Sequence, residues 1–230
     1  MPRLDLRLQA VARQIRSATH VDIGSDHAGL LVALLTDGRI DRGIAIENKQ
    51  QPYDNSRRAL ANLAADVRFG DGLEVLQPDE ADSLSLCGMG AESIVKILEA
   101  FPARVPQRIV LQPNRQPELI RRWALRNRFH LVDEQIARGH WPYVIMSFQQ
   151  AGNRHDPHHD PAYANVDQQA AILFGPLILK RRDPKFADQL REEQNYLSRF
   201  ARLEPRRIER LALIRKVLAT MGDIKGVRNQ

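Results

Sequence analysis

The sequence predicts an α/β fold in which a doubly wound, mostly parallel sheet is followed by a hairpin of two helices. Short apolar runs that are typical of strands alternate with amphipathic segments as far as residue 128. Two β-rich runs, HLVDEQIA and YVIMSF, then follow without a helix between them, which predicts an antiparallel strand added at the edge of the sheet. Beyond residue 185 the apolar residues recur at roughly heptad spacing, which is typical of two helices packed side by side.

Each strand of the predicted parallel sheet is a short apolar run that ends in glycine, carboxylate or amide residues. We predict these strands at residues 21–23, 44–46, 67–69, 82–86 and 108–111. Apolar residues at helical spacing predict an amphipathic helix over residues 4–16, before the first strand. Later helices are predicted over residues 52–65, 91–100 and 115–128.

The helical hairpin is predicted from an apolar face on each of two segments, residues 185–203 and 205–221. On the first helix this face carries Phe186, Leu190, Leu197 and Phe200. Pro205 is expected to begin the second helix, because proline is favoured in a first helical turn. The second face carries Ile208, Leu211, Ile214, Leu218 and Met221. We therefore predict a first domain over residues 1–164, a helical domain over 165–222 and a tail over 223–230.

The predicted junction between the two domains is polar and rich in histidine and proline. It reads NRHDPHHDPAYA over residues 153–164. A candidate metal site would use His155, His158, His159, Asp156 and Asp160. The composition is more typical of a boundary loop, so we predict that the chain holds no metal.

The composition excludes several classes of protein. Hydrophobic residues make up 43% of the 230 residues, which is enough for a buried core. Cys87 is the only cysteine, so neither an intrachain disulfide nor a cysteine-based metal cluster is expected. The charged amino-terminal segment lacks the apolar core of a signal peptide, and no apolar run approaches 18 residues. We therefore expect a cytoplasmic protein with no membrane segment and no obligate protein partner.

The positive charge of the chain is concentrated near its carboxyl terminus. The net charge is +6 and the sequence pI is about 9.8. Residues 180–221 hold 12 Lys and Arg against 6 Asp and Glu, so the rest of the chain is neutral overall. A localised basic face favours contact with a polyanion such as nucleic acid. A solvated helical surface is the alternative interpretation.

The turn after the first predicted strand carries the strongest chemical signal. Residues 19–30 read THVDIGSDHAGL, a strand, a tight glycine turn at Gly24 and the start of a helix. A dinucleotide-binding turn would present bare backbone to a pyrophosphate, but here Asp26 stands at the middle glycine position. Asp22, Asp26 and His27 instead suit a cationic ligand with an amino group and a sulfonium, such as S-adenosylmethionine (SAM). An ordinary strand-to-helix turn is the alternative.

Polar and small residues also follow each of the other predicted strands. The carboxyl ends of parallel strands lie at one edge of a sheet, where ligands bind. Glu47 would accept hydrogen bonds from ribose hydroxyls, and Asp71 with Gly72 would meet an adenine. Small residues at Cys87, Gly88, Met89 and Gly90 would leave room for the cofactor and an acceptor. The fifth strand ends in Gln112, Pro113 and Asn114.

Six motifs, spread over nearly the whole chain, resemble the bacterial tRNA (adenine-22-N1)-methyltransferase family, TrmK. They are RLQAVA at 7–12, DIGSDHA at 22–28, GDGLE at 70–74, GMG at 88–90, LQPN at 111–114 and GPLILK at 175–180. The chain departs from the usual family pattern at Ala91 and Val144. The resemblance implies a Rossmann-like class I SAM-methyltransferase sheet with a coiled-coil-like hairpin for tRNA. It also implies methyl transfer from SAM to N1 of adenine 22 in tRNA.

The resemblance implies roles for individual residues. Asp26 and Asn114 are the expected catalytic residues: Asp26 would favour a cationic product, and Asn114 would accept a hydrogen bond from the adenine amino group. The expected cofactor-binding residues are Asp22, Gly24, Asp26, His27, Glu47, Asn48, Asp71, Gly72, Cys87, Gly88 and Met89. The expected substrate-binding residues are Gly90, Asn114, Arg115, Arg121, Arg122 and Tyr143. An adenine in folded tRNA must leave its stack to reach such a site.

Three other functions remain open from the sequence. The first is a SAM-dependent methyltransferase with a protein or small-molecule acceptor. The second is an RNA-binding module with a vestigial SAM site. The third, a dinucleotide oxidoreductase, is disfavoured by Asp26 in the turn. Methyl incorporation into unmodified tRNA, compared with incorporation into lysate proteins, separates the first two from the favoured function.

Overall fold

The structure is a computed structural model that describes residues 4–139, 141–152, 160–200, 202 and 204–222. The chain forms two compact units, Met1–Pro161 and Ala162–Gln230. The division falls after residue 161, whereas the sequence indicates a domain boundary after residue 164. The predicted tail at 223–230 and the histidines at 155, 158 and 159 lie outside the described residues.

Over the described residues, the first unit is built on a seven-stranded sheet. Its strands are β1 (Ser17–Ile23), β2 (Ile40–Glu47), β3 (Ala65–Phe69), β4 (Ser83–Met89), β5 (Arg108–Pro113), β6 (Phe129–Arg138) and β7 (Pro142–Gln150). Their order is β3-β2-β1-β4-β5-β7-β6, and β1 to β5 pair in parallel. The order reverses beside β1, so the carboxyl ends of β1 and β4 form the crevice where ligands bind in such sheets.

The antiparallel strand lies inside the sheet, so its predicted place at the edge is wrong. Strand β7 pairs antiparallel with both β5 and β6, and β6 forms the edge. Only a short connection separates β6 from β7, which favours their pairing as a hairpin. The chain therefore reaches the outer position first, in β6, and returns between β5 and β6.

Helices of the first unit begin and end at local signals in the sequence. They are α1 (Leu6–Gln14), α2 (Gly29–Thr36), α3 (Gln50–Leu60), α4 (Ala91–Ala100) and α5 (Pro117–Arg126). Helix α1 is shorter than predicted because Asp5 caps it, accepting the Leu8 N–H at 2.7 Å. Helix α5 begins at Pro117 because the residue before a proline disfavours helical backbone, and Gln116 has a φ of 56°. Arg128, with a φ of 61°, lies beyond its end.

The second unit is helical over its described residues. Its helices are α6 (Gln168–Phe174), α7 (Pro176–Arg181), α8 (Pro184–Leu197) and α9 (Pro205–Gly222). Helices α8 and α9 are the predicted hairpin pair, and they pack against each other. Asp183 caps α8 through the Lys185 N–H at 3.0 Å, and Pro184 occupies its first turn.

The apolar face between α8 and α9 differs in part from the predicted one. Phe186, Leu190, Leu197, Leu211 and Ile214 are buried as expected. The prediction is wrong for two other positions: Phe200 is 42% exposed and Ile208 is 55% exposed. Leu213 and Val217 of α9, which the predicted face omits, are buried. Helix α8 ends at Leu197, before the heptad pattern reaches residue 200, so that pattern overestimates the length of the seam.

Asp160 is the one candidate metal ligand of the junction that the structure describes. Its side chain is buried, and its Oδ2 accepts a hydrogen bond from the Leu131 N–H at 2.8 Å. The described residues contain no group of three or more His, Cys, Asp or Glu side chains suited to a metal ion. Among the described helices, none combines the length and the apolar character that crossing a bilayer requires.

Candidate active site

The turn after β1 is sharply bent and is hydrogen-bonded to the end of β2. Gly24, Asp26 and Ala28 have positive φ angles of 73°, 60° and 50°. The Gly24 N–H donates to the Ile46 carbonyl at 3.0 Å, and the Asp26 N–H donates to Oε1 of Glu47 at 2.8 Å. Left-handed backbone at Asp26 and Ala28 costs free energy. The bonds to β2 therefore stabilise a turn that the local sequence alone would not favour.

Two glycines at this edge permit close approaches between elements. A Cβ on Gly24 would lie 2.8 Å from Cε of Met89, which places the end of β4 directly across the turn. Gly72 has a φ of 57°, and a Cβ there would lie 3.0 Å from the side chain of Ile97 in α4. Larger residues would push these elements apart, so both glycines keep the edge of the sheet compact.

Two carboxyl groups at the ends of β1 and β2 are buried. Asp22 is 3% exposed and accepts a hydrogen bond from the Ser85 hydroxyl at 2.5 Å. Glu47 is 4% exposed and accepts from the Asp26 N–H and, at 3.3 Å, from the Ser56 hydroxyl. Burial raises the pKa of both carboxyls, and the nearby charge of Asp22 further raises the pKa of Glu47. A cation bound beside them would offset this effect of burial.

The end of β3 lies next to the end of β2. The side-chain amide of Asn48 donates to Oδ1 of Asp71 at 3.1 Å, and the Gly70 N–H donates to the Glu47 carbonyl at 3.0 Å. The structure therefore brings Glu47, Asn48, Asp71 and Gly72 together, as their positions at strand ends predict. Asp71 and Asn48 are exposed, in contrast to the buried Glu47.

The ends of β4 and β5 are joined through a β-bulge. The register shifts between Cys87 and Met89, and the bulged Gly88 has a φ of 77°. Asn114 binds this bulge twice: its side-chain amide donates to the Gly88 carbonyl at 2.6 Å, and its N–H donates to the Met89 carbonyl at 2.8 Å. Oε1 of the buried Gln112 accepts the Gly88 N–H at 3.0 Å. The bulge and Asn114 are thus held in one fixed arrangement.

Arg7 is a member of this edge that the predicted site residues do not include. It lies on α1, and its Nη1 donates to Oε1 of Gln112 at 2.7 Å. Its guanidinium carbon lies 5.7 Å from the ring centroid of Tyr143. Its charge also lowers the pKa of Asp22, in opposition to burial. The resemblance included Arg7 in the RLQAVA motif, and that motif was the only available signal.

The chemistry of three further predicted residues is limited by their surroundings. Asp26 and His27 are exposed, and Oδ2 of Asp26 lies 3.5 Å from Nε2 of His27. Cys87 is half-buried, and burial raises the pKa of its thiol far above the ordinary value. The thiol therefore stays protonated near neutral pH, which excludes Cys87 as a thiolate nucleophile.

Comparison with known proteins identifies the family. The sequence model described as tRNA (adenine(22)-N(1))-methyltransferase, TrmK, matches residues 20–219. The chain belongs to this family. The TrmK enzyme of Bacillus subtilis (strain 168) is 34% identical to it over 198 residues, which span 83% of this chain and 81% of that protein.

Solved structures agree with this assignment. The crystal structure of the B. subtilis M1A22 tRNA methyltransferase TrmK has a TM-score of 0.80 and 28% identity, covering 97% of this chain and 99% of that one. Sp1610 of Streptococcus pneumoniae, solved in complex with S-adenosyl-L-methionine, has a TM-score of 0.79 and 24% identity, covering 94% and 100% of the two chains. The second similarity bears on the fold alone.

TrmK membership confirms the predicted fold class and enzyme class. The protein is a tRNA (adenine-N1)-methyltransferase, and S-adenosyl-L-methionine is the methyl donor. The chemistry at the sheet edge fits that donor, because carboxylates at the ends of three neighbouring strands suit a ligand that carries an ammonium and a sulfonium. Individual residue roles remain predictions.

One predicted substrate residue of the TrmK site is unsuited to its role. Arg121 is fully buried, and its Nε lies 2.7 Å from Oε1 of the equally buried Glu134. It therefore supports α5 against β6 and cannot contact tRNA at the surface. Arg122 is exposed further along α5, whereas Arg115 lies beside the bulge, with its Nε 3.7 Å from the Cβ position of Gly90. Sequence spacing alone could not separate the buried arginine from the exposed ones.

Proposed function

We propose that the carboxyl edge of β1 to β5 is where this protein methylates N1 of adenine 22 in tRNA. The observation that carries the proposal is the convergence of Asp22, Glu47 and Asp71, supplied by three adjacent strands, around a turn bonded to Glu47. Carboxylates at these positions suit the cationic groups and ribose hydroxyls of SAM. A pyrophosphate ligand would instead be repelled.

The two ends of the cofactor call for different partners. We assign the ribose hydroxyls to Glu47 and the adenine to Asp71 with Gly72, whose backbone allows a close approach. The methionine end is a zwitterion, so it needs both an anion and a cation. Asp22 supplies the first, and Arg7, within electrostatic range of Asp22, supplies the second. Asn48, His27 and the glycines of the turn would complete the lining.

The acceptor adenine is assigned to the bulge side of the edge. Asn114 is exposed, and its side-chain orientation is fixed because its amide nitrogen donates to the Gly88 carbonyl. Its Oδ1 lies 3.3 Å from Nε2 of Gln112, which leaves a second lone pair directed elsewhere. That lone pair would accept a hydrogen bond from the exocyclic amine of adenine. Gly90 and Tyr143 would shape the slot.

The reaction needs positioning more than acid–base chemistry. When bound, SAM supplies an electrophilic methyl group: the N1 lone pair forms the new bond, and the carbon–sulfur electron pair stays on sulfur. The positive charge therefore passes to the adenine. Asp26, exposed on the turn, would stabilise that charge, and Asn114 would orient the ring. Such orientation is worth up to roughly 7–11 kcal/mol in favourable cases.

We assign tRNA contact mainly to the helical unit. Arg199, Arg206 and Arg207 are exposed around the α8–α9 connection. Phe200 and Tyr196 are exposed there too: their rings are 5.1 Å apart, and the Arg207 guanidinium lies 6.0 Å from the Phe200 ring. Arginine and exposed aromatic rings together suit phosphates and unpaired bases. Arg115 and Arg122 would add contacts from the first unit. We also propose that the protein acts in the cytoplasm.

One experiment tests the proposed function directly. Unmodified tRNA is incubated with the protein and methyl-labelled SAM, and the modified nucleotide is mapped. We expect a single N1-methylated adenine at position 22. If label enters the proteins of a lysate but not tRNA, the protein is a methyltransferase with another acceptor. If tRNA and SAM bind tightly but no label is incorporated, the protein is an RNA-binding module with a vestigial SAM site.

A further inference from the structure

A row of polar side chains is buried in the centre of the sheet, next to the proposed cofactor site. In the register of β1 and β4, His20 lies opposite Ser83 and Asp22 lies opposite Ser85. All four residues are at most 3% exposed. Alternate residues of a strand share a face, so these side chains form one polar ladder on one face of the sheet. Val21 and Leu84 lie on the other face.

The ladder is continuous at hydrogen-bond distances. Oγ of Ser17 lies 2.7 Å from Oγ of Ser83, and Oγ of Ser83 lies 2.7 Å from Nδ1 of His20. Nε2 of His20 lies 2.9 Å from Oγ of Ser85, whose hydroxyl donates to Oδ1 of Asp22 at 2.5 Å. The chain of contacts therefore begins at the amino end of β1 and ends at the carboxylate of Asp22.

With Asp22 ionised, as binding of a cationic ligand requires, counting protons fixes the direction of each bond between Ser83 and Asp22. Each serine hydroxyl has one proton, and burial lowers the pKa of His20 to about 3, so the imidazole is neutral with a single N–H. When Ser85 donates to Asp22, its oxygen must accept from Nε2–H of His20. Nδ1 is then an acceptor, and Ser83 donates to it. The Ser17 hydroxyl lies within reach of two acceptors, Oγ of Ser83 at 2.7 Å and the Thr19 carbonyl at 3.4 Å. From Ser83 onward, each proton therefore points toward Asp22.

We propose that His20 is a positioning residue whose Nε2–H tautomer compels Ser85 to donate to Asp22, so that the carboxylate is held ionised and oriented for the cationic end of the cofactor. This inference rests on the cofactor role proposed for Asp22. With the opposite tautomer, Ser85 would have to donate to Nε2 and could not donate to Asp22. In the proposed arrangement, Ser83 makes no direct contact with Asp22. Its hydroxyl nevertheless acts on the Asp22 carboxylate, because it donates to Nδ1 and so favours the Nε2–H tautomer of His20.

The cost of the ladder supports a functional origin. Buried polar groups lower stability unless they are fully hydrogen-bonded, and apolar residues of similar volume at such positions are often as good or better. A histidine and two serines in the centre of a parallel sheet are therefore poorly explained by stability alone. The need to hold the Asp22 carboxylate in place at the cofactor edge would account for these buried polar residues.

The first test is spectroscopic. Long-range ¹H–¹⁵N correlation of the histidine rings is recorded on the full chain, and the signal of His20 is assigned by its loss in His20→Gln. We expect His20 to be neutral and Nε2-protonated, both without ligand and with S-adenosylhomocysteine. An Nδ1–H tautomer, or titration near pH 6, would overturn the proposal whatever the enzyme methylates.

The second test compares variants by calorimetric binding of S-adenosylhomocysteine. Gln at position 20 can donate to Ser85 and accept from Ser83, as the Nε2–H imidazole does, whereas Leu can do neither. We expect His20→Gln to keep affinity within about twofold, and His20→Leu and Ser83→Ala to lose roughly three- to tenfold. Thr36→Ala, which removes a hydroxyl bonded only within its own helix, is the control.

The outcomes separate this inference from the proposed function. If wild-type protein binds S-adenosylhomocysteine but His20→Leu, His20→Gln and Ser83→Ala all bind equally well, His20 only fills space and the inference fails. Thermal unfolding of each variant shows whether it folds. If His20→Leu or Ser83→Ala does not fold, the tautomer measurement on wild-type protein still decides, and triple-resonance assignment of wild-type protein identifies the His20 signal if His20→Gln does not fold. Failure of wild-type protein to bind the probe would instead count against the proposed cofactor site.

Discussion

The sheet edge and the α8–α9 pair use charge in opposite ways. At the edge, Asp22 and Glu47 are buried and held by hydrogen bonds from neighbouring strands and turns. On the helices, most charged side chains are exposed, and the Glu193–Arg210 pair is about one-third exposed. Buried charges act at fixed positions in a low dielectric, whereas exposed charges are screened and act together. Single substitutions should therefore have large effects in the first region and small ones in the second.

The largest difference is expected between two ion pairs, one from each unit. Glu134→Gln removes the negative charge beside the buried Arg121, which should lower the free energy of unfolding by about 3 kcal/mol or more. Glu193→Gln breaks the partly exposed pair with Arg210, and should cost less than about 1 kcal/mol. Urea denaturation of both variants at neutral pH measures the difference. Similar losses in the two variants would remove the contrast between buried and exposed charges.

Asn114→Ala should have the largest effect on catalysis. We expect turnover to fall about 100-fold while affinity for SAM changes less than about threefold, because Asn114 is assigned to the acceptor adenine. Single-turnover rates and calorimetric binding provide the two numbers. Asp54→Ala, which changes a partly exposed residue of α3 that is hydrogen-bonded to Gln50, serves as a control. An equal loss in both measurements would assign Asn114 to the cofactor site instead.

Glu47→Gln should weaken cofactor binding about tenfold, since the amide keeps an acceptor for the Asp26 N–H but loses the charge.

The effect of Glu47→Gln on the stability of the ligand-free protein should have the opposite sign. Burial raises the pKa of Glu47, so ionisation inside the fold costs stability as the pH rises from 4.5 through the raised pKa. Gln cannot ionise, so the ligand-free variant should gain stability relative to wild type over that range. Urea denaturation of both proteins at several pH values checks the sign. A variant whose free energy of unfolding falls relative to that of wild type as the pH rises would contradict the prediction.

The sequence predicted the sheet edge better than the helices for a physical reason. Strand ends are marked by local chemistry, so Asp22, Glu47, Asp71 and Asn114 could be selected without knowing how the strands pair. Arg7 could not be selected, because it reaches the edge only through the packing of α1. Arg121 carried the same local signal as Arg122, and only burial against β6 distinguishes them. The predicted seam of α8 and α9 was wrong at Phe200 and Ile208, because heptad spacing does not show where a helix ends.

The smallest effects per residue are expected for the exposed arginines of the helical unit. Replacing Arg199, Arg206 or Arg207 by Ala should each raise the KM for tRNA by about two- to threefold, with no change in SAM affinity. The triple variant should reduce the slope of log Kd against log salt by about two to three, because three phosphate contacts are lost. Phe200→Ala separates stacking from charge, since it should weaken tRNA binding without changing the salt slope. A triple variant with an unchanged slope would show that the tRNA phosphates are bound elsewhere, and Arg115 with Arg122 would be the next residues to replace.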